Sequence, residues 1–213
     1  MSRYKRSCLC SRGKRSEVLW LREKPVKVVP KKNRNQLRTQ AYMLRRTCGM
    51  EKKKYFPIME FLELVMPKVD PLFHIDPVED SELPGRAAET FPESHRICVK
   101  QSIYNAACEG SYWARFVMAH ELGHYILHDA ENTAYAFPVP GEKIPSTVNP
   151  EKQADAFASE LLAPVDLIDE PNDYLVSKHF GIPRGTAKIQ MGQAEKIDRR
   201  HKCKRLSREK KNG

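Results

Sequence analysis

Two histidines four residues apart, with a glutamate directly after the first, constrain this chain more than any other feature: His120-Glu121-Leu122-Gly123-His124. Positions i and i+4 share a face only in a helix, where they lie about 40° apart and about 6 Å along the axis. The flanks, Arg115 to Ala119 and Tyr125 to Leu127, read as an amphipathic helix able to carry them. Both imidazoles can then converge on one tetrahedral metal ion. The pattern is H-E-x-x-H, in which the glutamate serves as a general base and not as a ligand. Without a metal, the same residues describe an ordinary buried helix with two satisfied histidines.

A third ligand separates these readings. A metzincin would need Gly at 127 and His at 130, and the chain has Leu127 and Ala130. The candidate instead lies on a second predicted helix, with Asn149 as N-cap, Pro150 at the first helical position and Pro164 closing the segment. Ala154, Phe157, Ala158, Leu161 and Leu162 form its apolar stripe. Glu151 and Asp155, again i and i+4, share a face in its first turns, which suits Glu151 as ligand and Asp155 as the acceptor orienting a histidine. Taken alone, two acidic residues at a helix N-terminus need no metal. His128 continues the histidine row, but it lies about 12 Å along the axis from His120, too far to share the ion.

The segments Arg115 to His128 and Glu151 to Pro164 together resemble the ImmA/IrrE metallopeptidase family, with weaker likeness from Ile97 to Ala107 and Val176 to Pro183. The resemblance spans roughly residues 35–193 and has Ala163 where the family often has Met. It implies an intracellular regulatory protease. Several members act on helix-turn-helix repressors encoded beside them, often on mobile elements.

Charge is unevenly spread. Residues 1–54 carry 18 Lys and Arg against 3 Asp and Glu, and residues 194–213 carry 9 against 3, so the stretch between them is acidic. Basic arms suit nucleic acid or an acidic partner, and solvated tails have the same composition. The six cysteines are scattered without a C-x-x-C pair. With no secretory signal and no apolar run of about 18 residues, the expected setting is a reducing cytoplasm without membrane contact.

Along the chain we expect a basic arm over 1–32, a peptidase core over 33–168, a helical segment over 169–193 and a basic tail over 194–213. Within the core, helices are predicted from Asn33 to Cys48 and from Pro57 to Val65, with a short strand from Leu72 to Ile75. A hairpin of Ala87 to Thr90 and Arg96 to Tyr104 turns across Phe91 to Ser94, its second strand expected at the sheet edge where an extended peptide could pair. The stretch Ala130 to Val148 is a long loop rimming the cleft, and Tyr135 in it is a candidate hydrogen-bond donor to a tetrahedral intermediate. Two helices, Tyr174 to Phe180 and Arg184 to Ala194, flank Gly181-Ile182-Pro183. As a helix-turn-helix they would offer Arg184, Lys188 and Gln190 to nucleic acid; as a packed helical pair they would offer none.

The fold class expected is α+β: a small zincin-like core of helices and a short three-stranded sheet, with a C-terminal helical, HTH-like segment and basic tails. The expected activity is that of a zinc-dependent endopeptidase cutting a partner HTH repressor. His120, His124 and Glu151 would hold one Zn2+, Glu121 would be the base and Asp155 the orienting group. The donor set also suits Mn2+ or Fe2+. The alternatives are a non-proteolytic DNA- or protein-binding regulator and a member of a toxin–antitoxin-like module.

Overall fold

The first helix begins where the sequence offers a reciprocal cap. In the computed structural model, which describes residues 26–129, 131, 133–136 and 143–209, Asn33 and Gln36 each accept the other's backbone N–H at the start of α1 (Arg34–Thr47). Gly49, at φ +66°, turns the chain out after its end. Leu37 and Ala41 face the core as their spacing predicts, and the third buried residue of the stripe is Arg45. Its guanidinium donates to the carbonyls of Leu161 and Lys53 and lies 5.3 Å from the Phe56 ring centroid. Burial lowers its pKa to about 10.

The second helical stretch runs further than its apolar spacing suggested and is not uniform: α2 (Ile58–Glu60), a π-helical turn (Phe61–Val65) and α3 (Met66–Val69). Pro67 explains the break. It supplies no N–H to the carbonyl four residues back and its ring crowds that carbonyl, so the preceding turn widens.

The sheet has strand order β2-β4-β3, with β2 (His74–Val78) parallel to β4 (Arg96–Lys100) and β3 (Ala88–Phe91) antiparallel to it. This corrects two expectations. The predicted second hairpin strand stops at Lys100, and Gln101–Cys108 is helix α4. That strand, β4, is also central: Ile97 and Val99 are fully buried, and β2, distant in sequence, covers its free side. The edge facing the cleft is β3.

Under the sheet, α5 (Tyr112–Leu127) crosses α6 (Pro150–Leu162), and α6 packs its other side on α1. The predicted stripe of α6 is wholly buried, Ala154, Phe157, Ala158, Leu161 and Leu162 all at 0% exposure. Asn149 caps α6 by accepting from the Lys152 N–H. The side chain of Glu160, buried among the helices, takes Arg34 and Arg38 from α1. Most of the 1–32 arm lies outside the described residues. Its last segment forms β1 (Val26–Val28), antiparallel to β5 (Ala134–Ala136) in the loop between α5 and α6. Val29 is buried and Lys32 donates to the Leu127 carbonyl, so this segment closes the C-terminal end of α5.

Arg115, the first residue of the flank that precedes the motif, is 2% exposed and sits between three segments. It donates to the carbonyls of Phe56 and Gly181 and to the Tyr55 hydroxyl, with its guanidinium 3.9 Å from the Tyr55 ring centroid. Arg115→Met should therefore strand two buried carbonyls and destabilise the fold by about 3 kcal/mol. The check is the denaturant midpoint, expected to fall with the slope unchanged.

α7 (Asp173–Phe180) and α8 (Arg184–Glu209) follow, joined through Gly181 at φ +64°. α8 continues without a break into the stretch expected as a separate basic tail. Val176, Phe180, Ile182 and Ala187 are buried in the common core, so this pair packs against the peptidase core. Among the described residues, no helix is long and apolar enough to cross a membrane.

Candidate metal centre

Crossing α5 over α6 brings together ligand atoms from residues far apart in sequence. His120 and His124 present their Nε2 atoms 3.0 Å apart, and the Glu151 carboxylate lies 3.3 Å from the first and 3.5 Å from the second. Four donors held at about 2.0 to 2.1 Å around tetrahedral zinc are separated by about 3.3 Å. The two ring nitrogens approach that figure, each lies a similar distance from a different oxygen of Glu151, and the donor set of two imidazoles and a carboxylate fits such an ion.

Electrostatics point the same way. Burial alone would push the His120 ring towards neutrality. Its hydrogen bonds with Asp155 and Glu151 outweigh that and hold its pKa up at about 9. Glu151 is held far below the usual carboxylate range by its bonds with His120 and His124. Three lone-pair-bearing groups this close favour a cation among them.

The hydrogen bonds behind the two rings select which nitrogen faces the cluster. His120 Nδ1 lies 3.1 Å from Asp155 Oδ1, which can only accept, so Nδ1 is the donor. The opposite carboxylate oxygen of Asp155 takes Lys152. The chain of bonds behind His124 is longer. Gln153 Nε2 donates to the carbonyls of Pro30 and Thr147, which leaves its Oε1 as an acceptor for His128 Nε2–H. His128 is then an acceptor at Nδ1, in keeping with burial and the neighbouring His124 lowering its pKa to about 4. That makes His124 Nδ1 the donor across 3.0 Å and leaves His124 Nε2 as a lone pair aimed at the cluster. His128, outside the metal cluster as its axial distance required, thus sets the tautomer of its neighbour. Neither its role nor that of Gln153 could be read from residue spacing. His128→Leu should cost about 10- to 100-fold in zinc affinity, measured by competition with a chromogenic chelator. Retention of wild-type affinity would contradict the relay.

Glu121 is 8% exposed and does not belong to the ligand trio. The Thr90 hydroxyl donates to its carboxylate at 2.6 Å from β3, and this second partner also went unread in the sequence. Thr90, His120, Glu121, His124, His128 and Glu151 all line one cleft of about 870 Å3 between α5 and β3.

Tyr135 lines the same cleft from β5 and is 69% exposed. The three residues considered for nucleic acid lie elsewhere. Gln190 has 0% exposure and donates to the carbonyls of Ser159 and Ala163, so it pins α8 to α6 and cannot reach a base. Arg184 is paired through two nitrogens with Asp173, and Lys188, 3.9 Å from the same carboxylate, is exposed.

An α+β fold in which two crossing helices present a His–His–Glu cluster beside a further carboxylate defines a zincin-like metallopeptidase scaffold. The family model described as the IrrE N-terminal-like domain, a peptidase family, matches residues 81–190, just over half of the chain, and the chain belongs to that family. The match takes in β3, β4 and both cluster-bearing helices and begins well inside the 35–193 span of the resemblance. A search of the curated proteins found no match.

Proposed function

We propose that the chain is a zinc-dependent endopeptidase that acts as a regulatory protease. The observation that carries this reading is the His120–His124–Glu151 cluster with Glu121 beside it, opening into a cleft walled by a strand edge. Zinc held there by those three side chains would supply a water of lowered pKa and polarise the scissile carbonyl. The Glu121 carboxylate, beside the cluster, would accept a proton from the attacking water and pass it to the leaving amine. Thr90 holds the Glu121 carboxylate in place, and Asp155 and His128 keep both Nδ1 atoms protonated. Tyr135, on the cleft rim, is the candidate donor to the oxygen that gains charge. The donor set would also accept Mn2+ or Fe2+.

The substrate proposed is a helix-turn-helix repressor encoded nearby, a class suggested by what members of the family cut. In this reading, residues 33–168 form the catalytic core in the cytoplasm, and the basic 1–32 and 194–213 segments bring it to repressor on DNA by phosphate contacts that weaken with salt. Incubating the zinc-loaded chain with the product of the adjacent regulator gene should yield two fragments. An intact regulator, with zinc demonstrably bound, would move the reading to a non-proteolytic binding factor, which the exposed basic residues Arg199, Arg200, Lys202 and Lys204 of α8 would suit.

A further inference from the structure

The cleft is chemically lopsided about the metal cluster. Towards the C-terminal end of α5 its lining is polar, with Lys27, Asp129, Thr133 and Tyr135. Towards the N-terminal end the helix face is apolar, with Trp113, Phe116 and Val117, while Arg86, Glu89 and Glu93 join the lining from the β3 side. Trp113 is 54% exposed, and the other two are partly so. The three α5 residues lie on the face that carries His120. Phe116 and Val117 precede it by about one turn, roughly 5 to 6 Å, and Trp113 by about two turns, roughly 10 Å. A lone exposed aromatic needs no explanation, but three apolar side chains on one helix face, leading out of a reactive centre, form one wall of a trough for apolar ligand groups.

Its spacing fits an extended chain. Along a β-strand, side chains two residues apart point to the same side and lie about 6.7 Å apart. Val117 and Trp113, four helical residues apart, are separated by about 6 Å along α5. Resting on the endopeptidase reading, we infer that the trough selects the substrate: the segment that is cut carries two bulky apolar side chains in the pattern apolar-x-apolar. The first adjoins the scissile bond and seats on Phe116 and Val117, and the second seats on Trp113. The residue between them faces away from α5 and is unrestricted. The polar half of the cleft imposes no matching apolar requirement on the other side of the bond.

The test is cleavage of a degenerate decapeptide library by the zinc-loaded full chain, with residue frequencies around the cut read by mass spectrometry. Burial of one such side chain corresponds to about tenfold or more in selectivity. We expect enrichment of that order at two positions separated by one, on one side of the cut only. Trp113→Ser, a surface substitution, should abolish enrichment at the distal position and leave the adjoining one. Val117→Thr, which keeps the side-chain shape, should weaken the adjoining one. Cleavage without this pattern, or a pattern unchanged in Trp113→Ser, overturns the inference and leaves the peptidase reading standing. If the wild type cuts nothing, the peptidase reading fails. The same library captured on zinc-loaded Glu121→Gln then decides the trough alone: retained peptides enriched in apolar-x-apolar support it, and unselected ones overturn it.

Discussion

Glu121→Gln is expected to bind zinc as the wild type does and to lose about 10²- to 10⁴-fold in the rate of peptide cleavage. The substitution keeps the size and shape of the side chain, and the amide oxygen can still accept from the Thr90 hydroxyl that now reaches the carboxylate at 2.6 Å. It removes the one property the mechanism asks of this residue, a basic oxygen able to take a proton. Because Glu121 stands outside the His120–His124–Glu151 trio, metal content per chain and zinc affinity should stay within about twofold, in contrast to the His128→Leu protein. The measurement pairs metal content with cleavage rate at saturating substrate. A Glu121→Gln protein cutting within about tenfold of the wild-type rate would remove Glu121 from its role, and loss of zinc would make it a ligand instead.

What could be read in the sequence follows from how local each signal is. The helices that carry the His–His–Glu cluster were legible because their signals sit within a few turns: the i, i+4 histidines, the Asn149 cap, Pro150 and the apolar stripe of α6. Legible, too, was the family, from the same two segments. The strand order was not. A hairpin announces its own antiparallel partner, but nothing near Arg96–Lys100 announces that β2 will pair on its other side and make it central. Buried charged and amide side chains were not legible for a related reason. Arg45, Arg115 and Gln190 look like surface residues until the carbonyls that satisfy them, Leu161, Phe56, Gly181, Ser159 and Ala163, arrive from other elements. Thr90 and Gln153 were overlooked on the same ground, since each acts on a residue of α5 or its C-cap that only tertiary contact brings near.

Gly123 shows the same limit most sharply, and replacing it should do more damage to the metal site than to the fold. A Cβ at Gly123 would meet the Ala154 Cα at 3.1 Å, the Ala154 carbonyl oxygen at 3.3 Å and the Phe157 ring at 3.3 Å. Two of those atoms are backbone of α6, next in sequence to Asp155 and one turn from Glu151, so relief requires moving the helix that carries the third member of the cluster. In Gly123→Ala the crowding is offset by about 1 kcal/mol of helix propensity, and global stability should change little. Zinc distances tolerate only about 0.2 Å, so a shift of a few tenths at Glu151 should still lower affinity by about tenfold. Gly123→Val forces two further methyl groups into the same gap, and overpacking of that kind costs about 1 to 3 kcal/mol. Here stability should fall and zinc affinity should drop on the order of 100-fold, with the two losses separable by unfolding the chelated and the zinc-loaded protein. If the Gly123→Val protein holds zinc as tightly as the wild type, the close approach of α5 and α6 does not set the position of Glu151.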